Sequence, residues 1–157
     1  MTPTAPPRGA TAAGTPPAGD TVHASAVAVA GRGVLIVGAS GRGKSALALD
    51  LMALGAELVA DDRTVLTVQD GEVMLSAPEP LRGLIEARHV GLLCAPAPEC
   101  APLRLVVDLD TPETERLPPP RVRRMLGIET ALLHGVARGH FPAAIRQYML
   151  HGRAETR

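Results

Sequence analysis

Aromatic side chains are nearly missing from this sequence: among 157 residues only Phe141 and Tyr148 carry one, and there is no tryptophan. Proteins that grip single strands or RNA loops stack bases on such rings, so that class is disfavoured, and a core must be packed from Val, Leu, Ile, Ala and Met. Net charge is missing too. Sixteen basic side chains cancel sixteen acidic ones, which removes the global field that draws a chain to nucleic acid or an anionic membrane. Cysteine is scarce: Cys94 and Cys100 form neither a zinc signature nor a disulfide framework and read as reduced, partly buried small side chains. No apolar run approaches the roughly 20 residues of a membrane-spanning helix, and no continuous apolar stretch of signal-peptide type opens the chain. These absences predict a cytoplasmic protein with neither nucleic acid nor membrane as partner.

What is present falls into three parts. Residues 1–20 hold five prolines and almost no large apolar group, the composition of a disordered tail. Residues 21–152 carry the folding signals, and 153–157 read as a C-terminal tail. Within the middle part, TVHASAVAVA and VLIVG predict two strands around a turn at Gly31-Arg32-Gly33. ALALDLMAL predicts a helix with Leu47, Leu51 and Leu54 on one face and Gly55 as its stop. ELVADD is a short strand ending in acids, and RTVLTVQDGEVMLSA a hairpin turning at Asp70-Gly71. Residues 78–92 suggest a short helical turn feeding an extended segment. LRLVVDLD is a further strand, Pro118 to Pro120 break the chain, and FPAAIRQYMLHGR predicts a terminal helix with Pro142 at its start.

The sharpest motif is Gly38-Ala39-Ser40-Gly41-Arg42-Gly43-Lys44-Ser45, a full match to G-x-x-x-x-G-K-[ST] between a buried strand and a helix. Gly38, Gly41 and Gly43 allow backbone angles that a Cβ opposes, so successive N–H groups can converge on phosphate oxygens. The helix adds the positive end of its dipole. Lys44 places an ammonium among the β- and γ-phosphates, and Ser45 offers a hydroxyl to Mg²⁺. The motif reports nucleotide binding; the reaction needs other residues.

Asp61 and Asp62 follow Lys44 by seventeen and eighteen residues, at the end of an apolar strand. A carboxylate there can reach a phosphate-bound cation, and a second can accept a hydrogen bond from an attacking hydroxyl. Spacing alone also allows a strand-end turn capped by Asp.

His23, GASGRGKS, ELVADD, SAPEPLRGLIEARHVGLL and TERL occur in the order, and nearly at the spacing, of the HPr kinase/phosphorylase catalytic domain, which this sequence resembles over residues 21–117. The discriminating elements are a His twenty-one residues before the loop lysine, the ADD triplet and I-E-A-R, which is similar to the family's L-E-I-R. The resemblance implies an α/β fold of the HPr kinase and PEP carboxykinase-like P-loop type, with a mixed sheet and flanking helices, in the short form made of the catalytic domain alone. It implies that His23 orients or stabilises the transferred group and that one of Asp61 and Asp62, preferably Asp62, accepts the proton of the target serine. Glu86 would help Ser45 hold Mg²⁺, Arg88 would support that segment, and Arg116 would touch the protein substrate or the phosphate. Two departures stand out. The family's R-G-L-G run is Arg88-His89-Val90-Gly91 here, and the basic segment used for dephosphorylation is only echoed by Val136-Ala137-Arg138-Gly139.

The expected activity is therefore ATP- and Mg²⁺-dependent phosphorylation of a serine on HPr or an HPr-like phosphocarrier, regulating carbohydrate metabolism through the phosphotransferase system, with reverse phosphorolysis left open. The family's ring assemblies imply a homo-oligomer, although no interface is legible in the residues. Two rival readings use the same loop. One is a non-catalytic ATP-binding regulatory module. The other is a small-molecule kinase or generic NTPase, disfavoured by the lack of an N-K-x-D guanine motif, an ABC-type signature and enough chain for a lid.

Overall fold

The structure is a computed structural model that describes residues 19–154; all but the last two residues of the tail expected over residues 1–20, and the last three residues of the chain, lie outside that range. The first described strand, β1 (Gly19–Val22), starts two residues before the order expected from Thr21, and it pairs antiparallel with β5 (Thr64–Gln69). β2 (Ala24–Val29) and β3 (Arg32–Val37) form a hairpin. Its turn is Ala30-Gly31, both at positive φ, one residue earlier than the sequence suggests. Asp70-Gly71 does turn the hairpin between β5 and β6 (Glu72–Ser76), again with both residues at positive φ. Paired positive φ matches the right-handed twist of the strands it joins.

A nine-stranded mixed sheet organises the chain. β4 (Glu57–Ala60) and β3 each pair antiparallel with β2, so they run in the same direction. β9 (Ala101–Pro112) lies parallel to β3 on one side and to β11 (Ile128–Gly135) on the other. β10 (Arg121–Met125) closes a hairpin onto β11 through Leu126-Gly127. The first residues of β9 instead pair with β6, tying the β1–β5–β6 ribbon to the same sheet. β7 (Leu84–Ala87) and β8 (Gly91–Cys94) form a separate ribbon after a 3-10 turn at Glu79–Leu81, the expected turn feeding an extended segment.

Strand side chains alternate between two faces, and both faces are covered. On one, Val27, Val34, Ile36, Leu58, Leu105 and Val107 pack against Leu47 and Leu51 of α1 (Lys44–Ala53) and Ile145 and Met149 of α2 (Phe141–His151). On the other, Ala24, Ala26, Ala28, Leu35 and Val106 pack against Leu66, Val73 and Leu75 of the ribbon. Two-sided burial explains why the central strands read as unbroken apolar runs. Phe141 is the one aromatic in the core. Leu54 departs from its expected helical face: it is the C-cap residue of α1 and exposed, with Gly55 at φ 106 behind it. Cys94 and Cys100 are both exposed rather than partly buried, because the β7–β8 ribbon and the loop after it keep one side toward solvent. Among the described residues no helix is long and apolar enough to cross a membrane.

Candidate active site

Strand direction builds the site. β4, β3, β9 and β11 all end at one edge of the sheet, and β2 begins there. A single row crosses that edge. Asp62 O accepts from Ala24 N at 3.1 Å, Ala24 pairs with Val37, Val37 with Asp108, and Asp108 with His134. Crevices outside the carboxyl ends of parallel strands are where α/β sheets bind ligands.

The phosphate loop leaves β3 at this edge. Gly43 is the N-cap of α1 at φ 97, with no side-chain cap hydrogen bond, so the first-turn N–H groups of the helix remain available to an anion. Gly38 is needed for space: a Cβ there would meet Leu109 Cβ at 3.2 Å and Arg42 Cβ at 3.4 Å. Lys44 is only 7% exposed, and its Nζ donates to the carbonyls of Gly38 (2.7 Å) and Ala39 (3.3 Å). Asp110, at the end of β9, accepts from Ala39 N at 3.0 Å and pairs with Arg42 Nε at 3.2 Å, tethering the loop to the neighbouring strand.

The two adjacent acids are placed differently. Asp61 is 8% exposed. Its Oδ1 accepts from Ser45 Oγ at 2.6 Å and from Ser25 Oγ at 2.8 Å, and its Oδ2 accepts from the Glu86 amide at 3.0 Å. Asp62 turns away at φ 67, its side chain 61% exposed and its Oδ1 2.5 Å from His23 Nε2. The structure thus brings together His23, the loop, Asp61 and Asp62. Glu86 joins through its backbone, while its carboxylate points to solvent from β7; Arg88 is exposed just past that strand, and Arg116 is exposed between β9 and β10.

Among the described residues no cluster of three His, Cys, Asp or Glu side chains could hold a metal by itself. The adjoining Ser45 hydroxyl and Asp61 carboxylate nevertheless suit Mg²⁺, which takes hard oxygen ligands and is commonly held by one or two carboxylates plus substrate phosphates.

Beside the loop lies a charged network that sequence reasoning did not single out. Asp108 is 7% exposed; it accepts from Arg123 Nη2 at 2.8 Å, from Thr111 Oγ1 at 3.1 Å and from Asp110 N at 2.9 Å. Burial pushes its carboxyl up, but those donors prevail and hold it below the usual carboxylate range. Glu113 is also held low, chiefly by the bidentate guanidinium of Arg121, and Arg121 is raised in turn. Ser25 also went unread, although one hydroxyl inside the apolar run of TVHASAVAVA is a signal of its own.

A family profile described as the HPr Serine kinase C-terminal domain matches residues 18–97, just over half of the chain. The HPr kinase/phosphorylase of Pediococcus pentosaceus is 45% identical over 75 residues, covering 47% of this chain and 24% of that protein. The HPr kinase/phosphorylase of Brevibacillus brevis is 45% identical over 74 residues, 46% of this chain and 24% of that protein. The matched stretch is thus about a quarter of those relatives' length. A solved structure, the Hpr(Ser) kinase/phosphatase from Coxiella burnetii, aligns with a TM-score of 0.73 at 27% identity, over 83% of this chain and 94% of that one. With the loop, the acid pair and the sheet order all in place, the chain belongs to the HPr serine kinase C-terminal domain family.

Proposed function

We propose that this protein transfers the γ-phosphoryl group of ATP to a serine hydroxyl of HPr or an HPr-like phosphocarrier. The observation that carries the reading is the separation of two neighbouring acids, one against the loop hydroxyl Ser45 and one against His23 at the open edge. The loop amides and Lys44 bind and orient the triphosphate. Ser45 and Asp61 would hold Mg²⁺, with Glu86 alongside; the bound ion would supply charge to offset that on the phosphates. Asp62, open to an incoming protein and oriented by His23, accepts the serine proton as the serine oxygen bonds to phosphorus. The bond to the bridging oxygen breaks, and ADP leaves with the electron pair. Phosphoryl transfer asks mainly for alignment and charge stabilisation, which this edge can supply. Arg116, exposed between β9 and β10, would meet the protein substrate or the moving phosphoryl group.

Intact-mass measurement of HPr incubated with this protein, ATP and Mg²⁺ tests the reading. A gain of one phosphoryl group on serine is the expected result. Nucleotide binding that leaves HPr unmodified would instead mark a regulatory module, and rapid ATP hydrolysis without an acceptor a generic NTPase. Asp62→Asn should lower transfer by about 10²–10⁴-fold, the usual contribution of a general base, while Mg²⁺-ATP affinity stays near wild type. Undiminished transfer in that variant would remove Asp62 from the base role.

A further inference from the structure

Among the described residues two polar side chains are completely buried, Ser25 and Thr64. Thr64 has a local use, donating to the carbonyl of Ala24 at 2.9 Å. Ser25 is engaged with both acids. Its hydroxyl donates to Asp61 Oδ1 at 2.8 Å and accepts from the Asp62 amide at 3.3 Å. A hydroxyl has one proton and two lone pairs, so making both bonds at once fixes its rotor. We propose that Ser25 is a positioning residue that sets Asp61 for the cation and Asp62 for the proton, an inference that rests on the kinase reading of the same site.

The argument runs through each acid separately. Asp61 Oδ2 is held by the Glu86 amide, and its Oδ1 is shared by Ser25 and Ser45. Ser45 belongs to the phosphate loop and is the partner that would turn to a cation, so Ser25 and the Glu86 amide are the two contacts that keep the carboxylate plane in place. Partners of this kind, one bond removed from a metal, commonly contribute about 10–100-fold to its affinity. Asp62 occupies the left-handed region at φ 67, a conformation that residues with a Cβ adopt seldom and that Asp tolerates better than most. Ser25 Oγ accepts the N–H of that residue, and the same kink aims the Asp62 side chain at His23. Ser25 is buried between Ala24 and Ala26, themselves fully buried, so an alanine in its place fits the strand.

The test compares Ser25→Ala, Ser25→Thr and Ser25→Cys with wild type. It measures thermal midpoint, nucleotide affinity in EDTA, the Mg²⁺ concentration that half-saturates nucleotide binding, and kcat for transfer to HPr. Ala and Cys, which lose a strong hydroxyl, should raise the half-saturating Mg²⁺ about 10–100-fold and lower kcat, with binding in EDTA unchanged. Thr keeps the hydroxyl and should stay near wild type in Mg²⁺ dependence. A fall in thermal midpoint alone, with Mg²⁺ dependence intact in Ala and Cys, would make Ser25 merely structural and overturn the proposal. So would Thr behaving like Ala. A wild-type protein whose nucleotide binding ignores Mg²⁺ would instead overturn the kinase reading itself, before any Ser25 variant is compared.

Discussion

At the scale of single residues, the instructive pair is Asp61 and Asp62, identical in type and adjacent in the chain, yet one buried against Ser45 and the other open against His23. Their presence near the phosphate loop could be read from the strand ELVA and the distance to Lys44. Their different placement could not, because it depends on a backbone kink at Asp62 and on partners from β2 and the loop. Lys44 was the more legible residue, since the loop motif specifies its neighbours and the strand and helix on either side. Lys44→Ala should remove a charge-assisted contact of about 1.5–3 kcal/mol, raising the dissociation constant of ATP about 10–100-fold. Calorimetric titration checks this, and the same titration on Asp62→Ala should show little change.

At the scale of elements, the hairpins and helices followed local rules. Asp70-Gly71 turned where expected, and α2 began at Phe141-Pro142 and ran to His151, with Gly152 as its C-cap. The β10–β11 hairpin was missed. Its strand RVRRM holds three arginines in five residues and breaks the apolar–polar alternation at Arg123-Arg124, and its turn, Leu126-Gly127, lacks the Asn or Asp that usually marks such a site. Within α2, Ile145 has no exposed surface and packs into the cluster shared by α1 and the sheet. Ile145→Ala should cost about 2–5 kcal/mol, read as a lower denaturant midpoint with an unchanged slope. A cost under about 0.5 kcal/mol, typical of an exposed position, would show that α2 does not close this face of the core.

At the scale of the whole molecule, the ion pairs at the end of β9 tie that strand and the residue after it to β10 and β11 and make stability depend on pH. Asp108, facing Arg123 and Thr111, and Glu113, facing Arg121 and His134, both have carboxyls held below the usual range. Groups depressed in the folded state stabilise it fully above their unfolded pKa, about 4, and lose that contribution as pH falls through the lower folded values. The thermal midpoint should therefore hold from neutral pH down to about 5 and decline below about 4. In Asp108→Asn it should start lower at neutral pH and decline less on acidification. A wild-type midpoint that does not fall below pH 4 would contradict this account.

The residues alone determined the phosphate loop, the strand and helix on either side of it, the Asp70-Gly71 turn and a core built almost without aromatics. Each of those follows from neighbours within a few positions, where backbone freedom, turn preference and apolar spacing act directly. Tertiary structure decided the rest: the sheet order, the row from Asp62 through Ala24, Val37 and Asp108 to His134, the Ser25 bridge, and which acid meets which partner. Those depend on strand register across long separations, such as the pairing of Val37 with Asp108. Register is chosen by burying both faces of the sheet at once, a condition that no single segment carries.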